Sequence, residues 1–223
     1  MKITKFNQAC LLVETKGKRI LVDAGSIGYT EDMFETHWTN INVILVTHRH
    51  SDHCLAEVIN KIIKRDNAKV YANSEVIANH SLENVTKIAE RDVFDIGEIK
   101  VEVTKAVHGF LTTMKAAGLE VKENVGFIID DGATRLYITS DTINFNNDYK
   151  CDVLAMPFNG NGLTLGLVDG IGFIKDIGPK LVLPIHLQHP RPIMNPDIGA
   201  LKQSLDSEGI NYKILDLCES IEV

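Results

Sequence analysis

Three short runs of this chain, Val43-Ile-Leu-Val46, Val153-Leu-Ala-Met156 and Leu181-Val-Leu-Pro-Ile185, are apolar at nearly every position. Successive residues of a strand face opposite sides of a sheet. Runs like these leave no face for water, so the sheets that hold them must be covered on both sides. The covering elements are legible nearby. Residues 55–65 place Leu55, Val58, Ile59 and Ile62 on one helical face. Residues 167–177 form a second helix candidate, stopped by Gly178-Pro179, and residues 196–208 a third, started by Asn195-Pro196 and ended by Gly209.

The remaining strand signals fall into two halves. Residues 2–6, 9–14 and 19–22 open the chain, with Lys16-Gly17-Lys18 as a hairpin turn. Residues 69–72 return to strand, residues 74–78 read as a capped helical turn or short helix, and residues 85–107 predict two or three strands around Ile96-Gly97-Glu98. Residues 125–130 and 135–139 flank the hairpin signal Asp131-Gly132, and residues 212–217 predict a closing strand. Each half thus runs from hairpin-like strands into strand–helix units. Two sheets packed together with helices outside satisfy this pattern, in one α/β domain over residues 1–223.

The functional signal is the stretch that follows the first apolar run, Thr47-His-Arg-His-Ser-Asp-His-Cys54. His48 and His50 are two apart, so in an extended segment they point the same way. Asp52 and His53 stand at the start of the following helix and point to a neighbouring position. That arrangement suits two adjacent metals, and imidazole with carboxylate suits Zn²⁺, and also Mn²⁺ or Fe²⁺. Further metal-capable residues stand just past other apolar runs: His108 after 101–107, Asp141 after 136–139, and His186 after 181–185. Arg49 and Ser51 read as spacers, and Cys54 as the start of the helix. His37 and His80 lie in polar surroundings without a motif and read as structural or solvated. His189 is a candidate to enter the same pocket, and Arg191 to bind a carboxylate or phosphate in a bidentate way.

This ordered set, His48-x-His50-x-Asp52-His53 followed by His108, Asp141 and His186, resembles the metallo-β-lactamase superfamily over nearly the whole chain. Leu21-Val-Asp-Ala-Gly25 is similar to that superfamily's early Asp-containing strand end. The segment from Met156 to Gly166, with Leu183-Pro-Ile-His186, is similar to the branch of ascorbate-6-phosphate lactonase-like hydrolases. The resemblance implies a four-layer αβ/βα sandwich. It implies that His48, His50 and His108 hold one metal, that Asp52, His53 and His186 hold a second, and that Asp141 bridges the two. Asp52 and Asp141 are then the catalytic carboxylates, and Asp23 holds a ligand from behind. Asn159 and Asn161, in a Gly- and Asn-rich segment, join His189 and Arg191 as candidates to touch the substrate or support the ligands.

Two close divalent ions can share a water and lower its pKa towards neutrality. The expected activity is therefore hydrolysis, with a metal-bridging hydroxide attacking an ester, lactone or phosphoester of a small anionic substrate. The alternatives are a phosphodiesterase acting on nucleotide or phospholipid-type esters, and a catalytically idle metal-binding or sensor protein on the same fold. A β-lactamase of the subclass with a Cys ligand would have Cys where Asp141 stands, and the flavin-linked diiron branch usually has an acidic residue where His50 stands. Substrate selection is expected from residues 25–40, with Tyr29, Met33, Phe34 and Trp38, from residues 109–123, and from residues 158–166.

Partners are bounded by charge and composition. The chain carries 23 Lys and Arg against 30 Asp and Glu, a net charge of -7, which argues against nucleic-acid or anionic-membrane binding by overall field. No run is long enough to span a bilayer. The four cysteines form no CxxC, and the first residues show no apolar leader, which together predict a cytoplasmic protein with free thiols. The expected partner is a small molecule, and a homo-oligomer is compatible with the sequence.

Overall fold

A computed structural model describes residues 1–145 and 148–223. Every apolar run forms a strand covered on both faces. β1 (Lys2–Lys5), β2 (Leu11–Thr15) and β3 (Lys18–Val22) pair as an antiparallel meander. Its second turn puts Lys16 and Gly17 at φ of 46° and 69°, the backbone sense that matches the strand twist. β4 (Val43–Val46), β5 (Lys69–Ala72) and β6 (Val85–Lys87) continue the sheet in parallel. β7 (Val93–Ile96), β8 (Ile99–Ala106), β9 (Asn124–Asp130) and β10 (Arg135–Ile138) are antiparallel in a second sheet. There β11 (Val153–Pro157) and β12 (Leu181–Ile185) run parallel to β10. A last strand, β13 (Ser220–Glu222), pairs with β1 at the edge of the first sheet.

Three apolar clusters separate four layers. Alternate residues of the strands, such as Ile20, Val22, Val43 and Leu45 from one sheet and Phe127, Ile138, Ala155 and Leu183 from the other, meet between the sheets. Their neighbours in sequence, Leu21, Ile44 and Val46, pack outward against α1 (Ala56–Asp66) through Val58, Ile59 and Ile62. On the far side Leu154 and Met156 pack against α4 (Leu167–Ile177) and α5 (Ile198–Ser207) through Phe173, Ile174, Leu201 and Leu205. The fold is the four-layer αβ/βα sandwich, and the period-2 split of each strand between two cores is its physical basis. Two short helices, α2 (Ser74–Asn79) and α3 (Thr112–Ala116), lie between strands.

Several expectations are corrected. Residues 212–217 form no strand: Tyr212 makes one bridge to Val182, and a turn at 216–219 then carries the chain to the first sheet as β13. α5 starts at Ile198 with Asp197 Oδ1 accepting from Ala200 N, so the capping carboxylate rather than Asn195-Pro196 sets its first turn. α2 is likewise capped by Asn73 rather than from within residues 74–78. Residues 85–107 do make three strands, but β6 joins the first sheet and β7 and β8 the second. Met33, Phe34 and Trp38 are buried in the outer core beside α1 and do not face a substrate.

Candidate metal centre

The strand directions bring the candidate residues to one edge. β8, β10 and β12 all run the same way, so His108, Asp141 and His186 leave the second sheet on one side. The β4–α1 loop meets them there from the first sheet. His48, His53, His108, Asp141 and His186 are buried, and His50 and Asp52 are half-buried. His48, His50 and His108 can direct one ligand atom each to a common point, as can Asp52, His53 and His186. Between these groups lies Asp141, whose Oδ2 is 3.2 Å from His186 Nε2, 3.5 Å from His53 Nε2 and 3.7 Å from His108 Nε2. His186 Nε2 is also 3.2 Å from Asp52 Oδ2.

The far nitrogens of four histidines are committed to fixed oxygens. Asp23 is fully buried, accepts from Thr47 N and Thr47 Oγ1 at 2.8 Å each, and accepts a hydrogen bond from His53 Nδ1 at 2.7 Å. Since Thr47 Oγ1 donates to Asp23, it accepts from His48 Nδ1 at 3.1 Å. His50 Nε2 donates to Leu119 O at 2.8 Å, and His108 Nδ1 to Gly109 O. Each ring is thereby left with a lone pair aimed inward. His48 Nε2 and His50 Nδ1 then face each other at 3.2 Å as two acceptors, a repulsive contact that a cation between them would relieve. Among the described residues, the buried atoms His53 Nε2, His108 Nε2 and Asp141 Oδ1 have no hydrogen-bond partner. Donor type and unpaired atoms together fit a divalent cation.

The electrostatics point the same way. Burial holds the His48 imidazole well below its ordinary pKa, helped by His53 and His108, and burial also lowers that of His108. Burial opposes charge on His53, yet the carboxylates of Asp23, Asp141 and Asp52 push its pKa well up. Against the same burial penalty, Asp141 raises His186 to about 9. Burial alone would raise Asp52 and Asp141, but His53 and His186 hold both below the usual carboxylate range. The carboxylates thus favour positive charge at His53 and His186, while His48 and His108 are held as neutral imidazoles, the form that binds a metal.

The residues open onto a cavity of about 580 Å³. His189 and Arg191 line it, and Arg191 has no carboxylate partner among the described residues. Asn159 lines it too, donating from Nδ2 to His186 O at 3.1 Å. Asn161 does not: it lines a neighbouring cavity and donates to Ile193 O. Three residues were missed or misread from the sequence. Thr47, beside the motif, orients His48 directly with a hydroxyl that Asp23 holds in place. His80 takes the structural of its two expected parts, donating from Nε2 to Arg49 O at 2.7 Å, but it also lines the cavity, which was not expected. Arg49 is no spacer, since its guanidinium holds residues 118–120. Only the position of Thr47 against the motif was a usable signal; the other two depend on contacts across loops.

This fold and this edge of histidines and carboxylates define a class, and the chain belongs to the beta-lactamase superfamily, whose domain model matches residues 2–186. Within it the chain falls among the UPF0173 metal-dependent hydrolases. It is 31% identical to the protein of that name from Geobacillus thermodenitrificans, over 86% of this chain and 88% of the relative. It is 29% identical to that of Carboxydothermus hydrogenoformans, over 99% of each. Among solved structures, Igni18, a metallo hydrolase from Ignicoccus hospitalis, shares the fold with a TM-score of 0.78 at 20% identity, over 100% of this chain and 98% of that one.

Proposed function

We propose that the protein is a dinuclear metal-dependent hydrolase of a small anionic substrate, with an ester or lactone as the scissile group. The observation that carries this reading is the convergence of seven ligand-capable side chains from both sheets, with unpaired buried atoms facing one another. In this reading His48, His50 and His108 hold one ion, Asp52, His53 and His186 the other, and Asp141 lies between them. Five imidazoles with carboxylates favour Zn²⁺, with Mn²⁺ or Fe²⁺ as substitutes. When bound, such ions supply an activated water and a Lewis acid at neutral pH.

The chain's own residues have distinct parts in this scheme. Asp23 and Thr47 fix the His53 and His48 tautomers. Asp141 would orient the attacking water, because its Oδ1 is buried and unpaired while its Oδ2 is held beside three imidazoles. Arg191 and His189, at the cavity wall, give an anionic substrate group a cationic and a hydrogen-bonding partner. A cavity of about 580 Å³ takes a metabolite-sized molecule rather than a polymer.

Metal content after Zn²⁺ or Mn²⁺ reconstitution, followed by a screen of lactones, phosphodiesters and thioesters, tests this. Two ions per chain and lactone or ester turnover are expected. Asp141→Asn should lower that turnover by well over about 100-fold while circular dichroism is unchanged. Less than one ion per chain, or undiminished turnover in Asp141→Asn, would sink the mechanism. Preference for bis-p-nitrophenyl phosphate over every lactone moves the assignment to a phosphodiesterase.

A further inference from the structure

Residues 110–121 cross the mouth of the cavity without a core of their own. α3 has no buried residue, and Phe110, Leu111 and Leu119 are exposed. Met114 and Leu119 nonetheless line the cavity, together with the apolar Ile27, Leu163 and Met194. Among the described residues, every hydrogen bond from 110–121 to the rest of the chain ends on Arg49 or His50. Arg49 Nη2 donates to Gly118 O at 2.6 Å and to Glu120 O at 2.8 Å, and Nε reaches Glu120 O at 3.3 Å. Glu75 anchors the guanidinium at 3.2 Å and accepts from Lys122 N and Glu123 N at 2.8 Å each. At the other foot Gly109 N donates to Leu163 O at 2.9 Å, packed so closely that a Cβ there would lie 2.0 Å from Gly162 O.

We infer that residues 110–120 are an apolar specificity wall of the substrate cavity, that Arg49 is the positioning residue that sets it, and that the substrate turns an apolar group towards Met114 and Leu119. The claim about substrate rests on reading the cavity as the substrate site; the claim about Arg49 does not. A segment with no buried side chain has little local stability, so its place depends on the few bonds that hold it. A planar guanidinium spans two carbonyls in fixed directions, whereas an ammonium cannot hold both and Glu75 in the same geometry. Because Arg49 stands between two ligand candidates, the wall is registered directly against the metal loop.

Hydrogen exchange of the Zn²⁺-reconstituted protein tests the latch. Peptides within 110–120 should exchange at least about tenfold faster in Arg49→Lys than in wild type, while β11 peptides stay unchanged as the internal measure of folding. Equal exchange overturns the positioning role. Calorimetry with acetate and hexanoate, used as probes that need no turnover, tests the wall. Wild type should bind hexanoate at least about tenfold more tightly than acetate, through burial of the added methylenes. That ratio should shrink in Arg49→Lys and in Leu119→Ala, the second without faster exchange because its carbonyl remains. Equal affinities in wild type, or an unchanged ratio in Leu119→Ala, overturn the wall. None of these readouts depends on hydrolysis, so a failure here is separable from a failure of the Asp141→Asn test.

Discussion

Lys5 is 1% exposed and, among the described residues, has no carboxylate within ion-pair distance, although Asp216 lies near enough to favour its charge. Its Nζ donates to Phe6 O at 3.1 Å and to Gln188 Oε1 at 3.0 Å. With Gln8, whose O accepts from His186 N at 2.9 Å and whose Nε2 donates to Leu187 O at 3.2 Å, it ties the first sheet to the segment carrying His186. Burial lowers the Lys5 pKa from 10.5 to about 8. Between those values the folded chain holds the neutral amine while the unfolded chain still binds the proton. Stability from this residue therefore rises with pH through the window from about 8 to 10.5, and the charged form is the penalised one below it. The full span corresponds to about 3 kcal/mol. Urea unfolding of wild type and Lys5→Met at several pH values checks this. The stability of the variant relative to wild type should fall by about that amount from pH 7.5 to 10.5, and a pH-independent difference would show that Lys5 stays charged in the fold.

At the scale of elements, the strand ends hold the site together by close backbone approach. Asp23 follows β3 at φ of 52°, and the residues after it cross the metal loop: Leu55 N donates to Ala24 O at 2.8 Å and Ser26 N to Ser51 O at 2.7 Å. A Cβ on Gly25 would stand 1.7 Å from Asp52 O. Gly25→Ala must therefore push Asp52 and its neighbours away, costing about 1–3 kcal/mol of stability. Zn²⁺ affinity, read by competition with a chelator, should fall at least about tenfold, and wild-type affinity in this variant would mean that the loop shifts without moving its ligands. The elements legible in the sequence were those with a clear period: α1 and α4, buried on one stripe, and β4, β11 and β12, apolar on both faces. α3 has no buried side and so no period to read, and β13 is three residues that form only because β1 offers an edge.

At the scale of the molecule, the spacing of one motif and the positions of three later residues were enough to place the ligand candidates, because strand ends of like direction share an edge. Two of the supports were not legible, since Arg49 and His80 act across loops that only the packed sandwich brings together. The same arrangement makes metal binding a matter of global stability. Four candidates sit on the β4–α1 loop of the first sheet and three on the second sheet, so ions bound there tie both halves across their shared core. The unfolded chain cannot present that set, so binding to the fold alone adds about 4 kcal/mol when free Zn²⁺ is a thousandfold above its Kd. For a chain of this length that corresponds to a rise in Tm of about 10 °C. Thermal unfolding with Zn²⁺ against chelator should show this in wild type and in His37→Ala, whose ring packs on Phe6 away from the cluster. His48→Ala and His186→Ala each remove a candidate from a different sheet, so each should lose most of the shift. If only one of them does, the metal is held by one sheet, and the two halves are joined by their core alone.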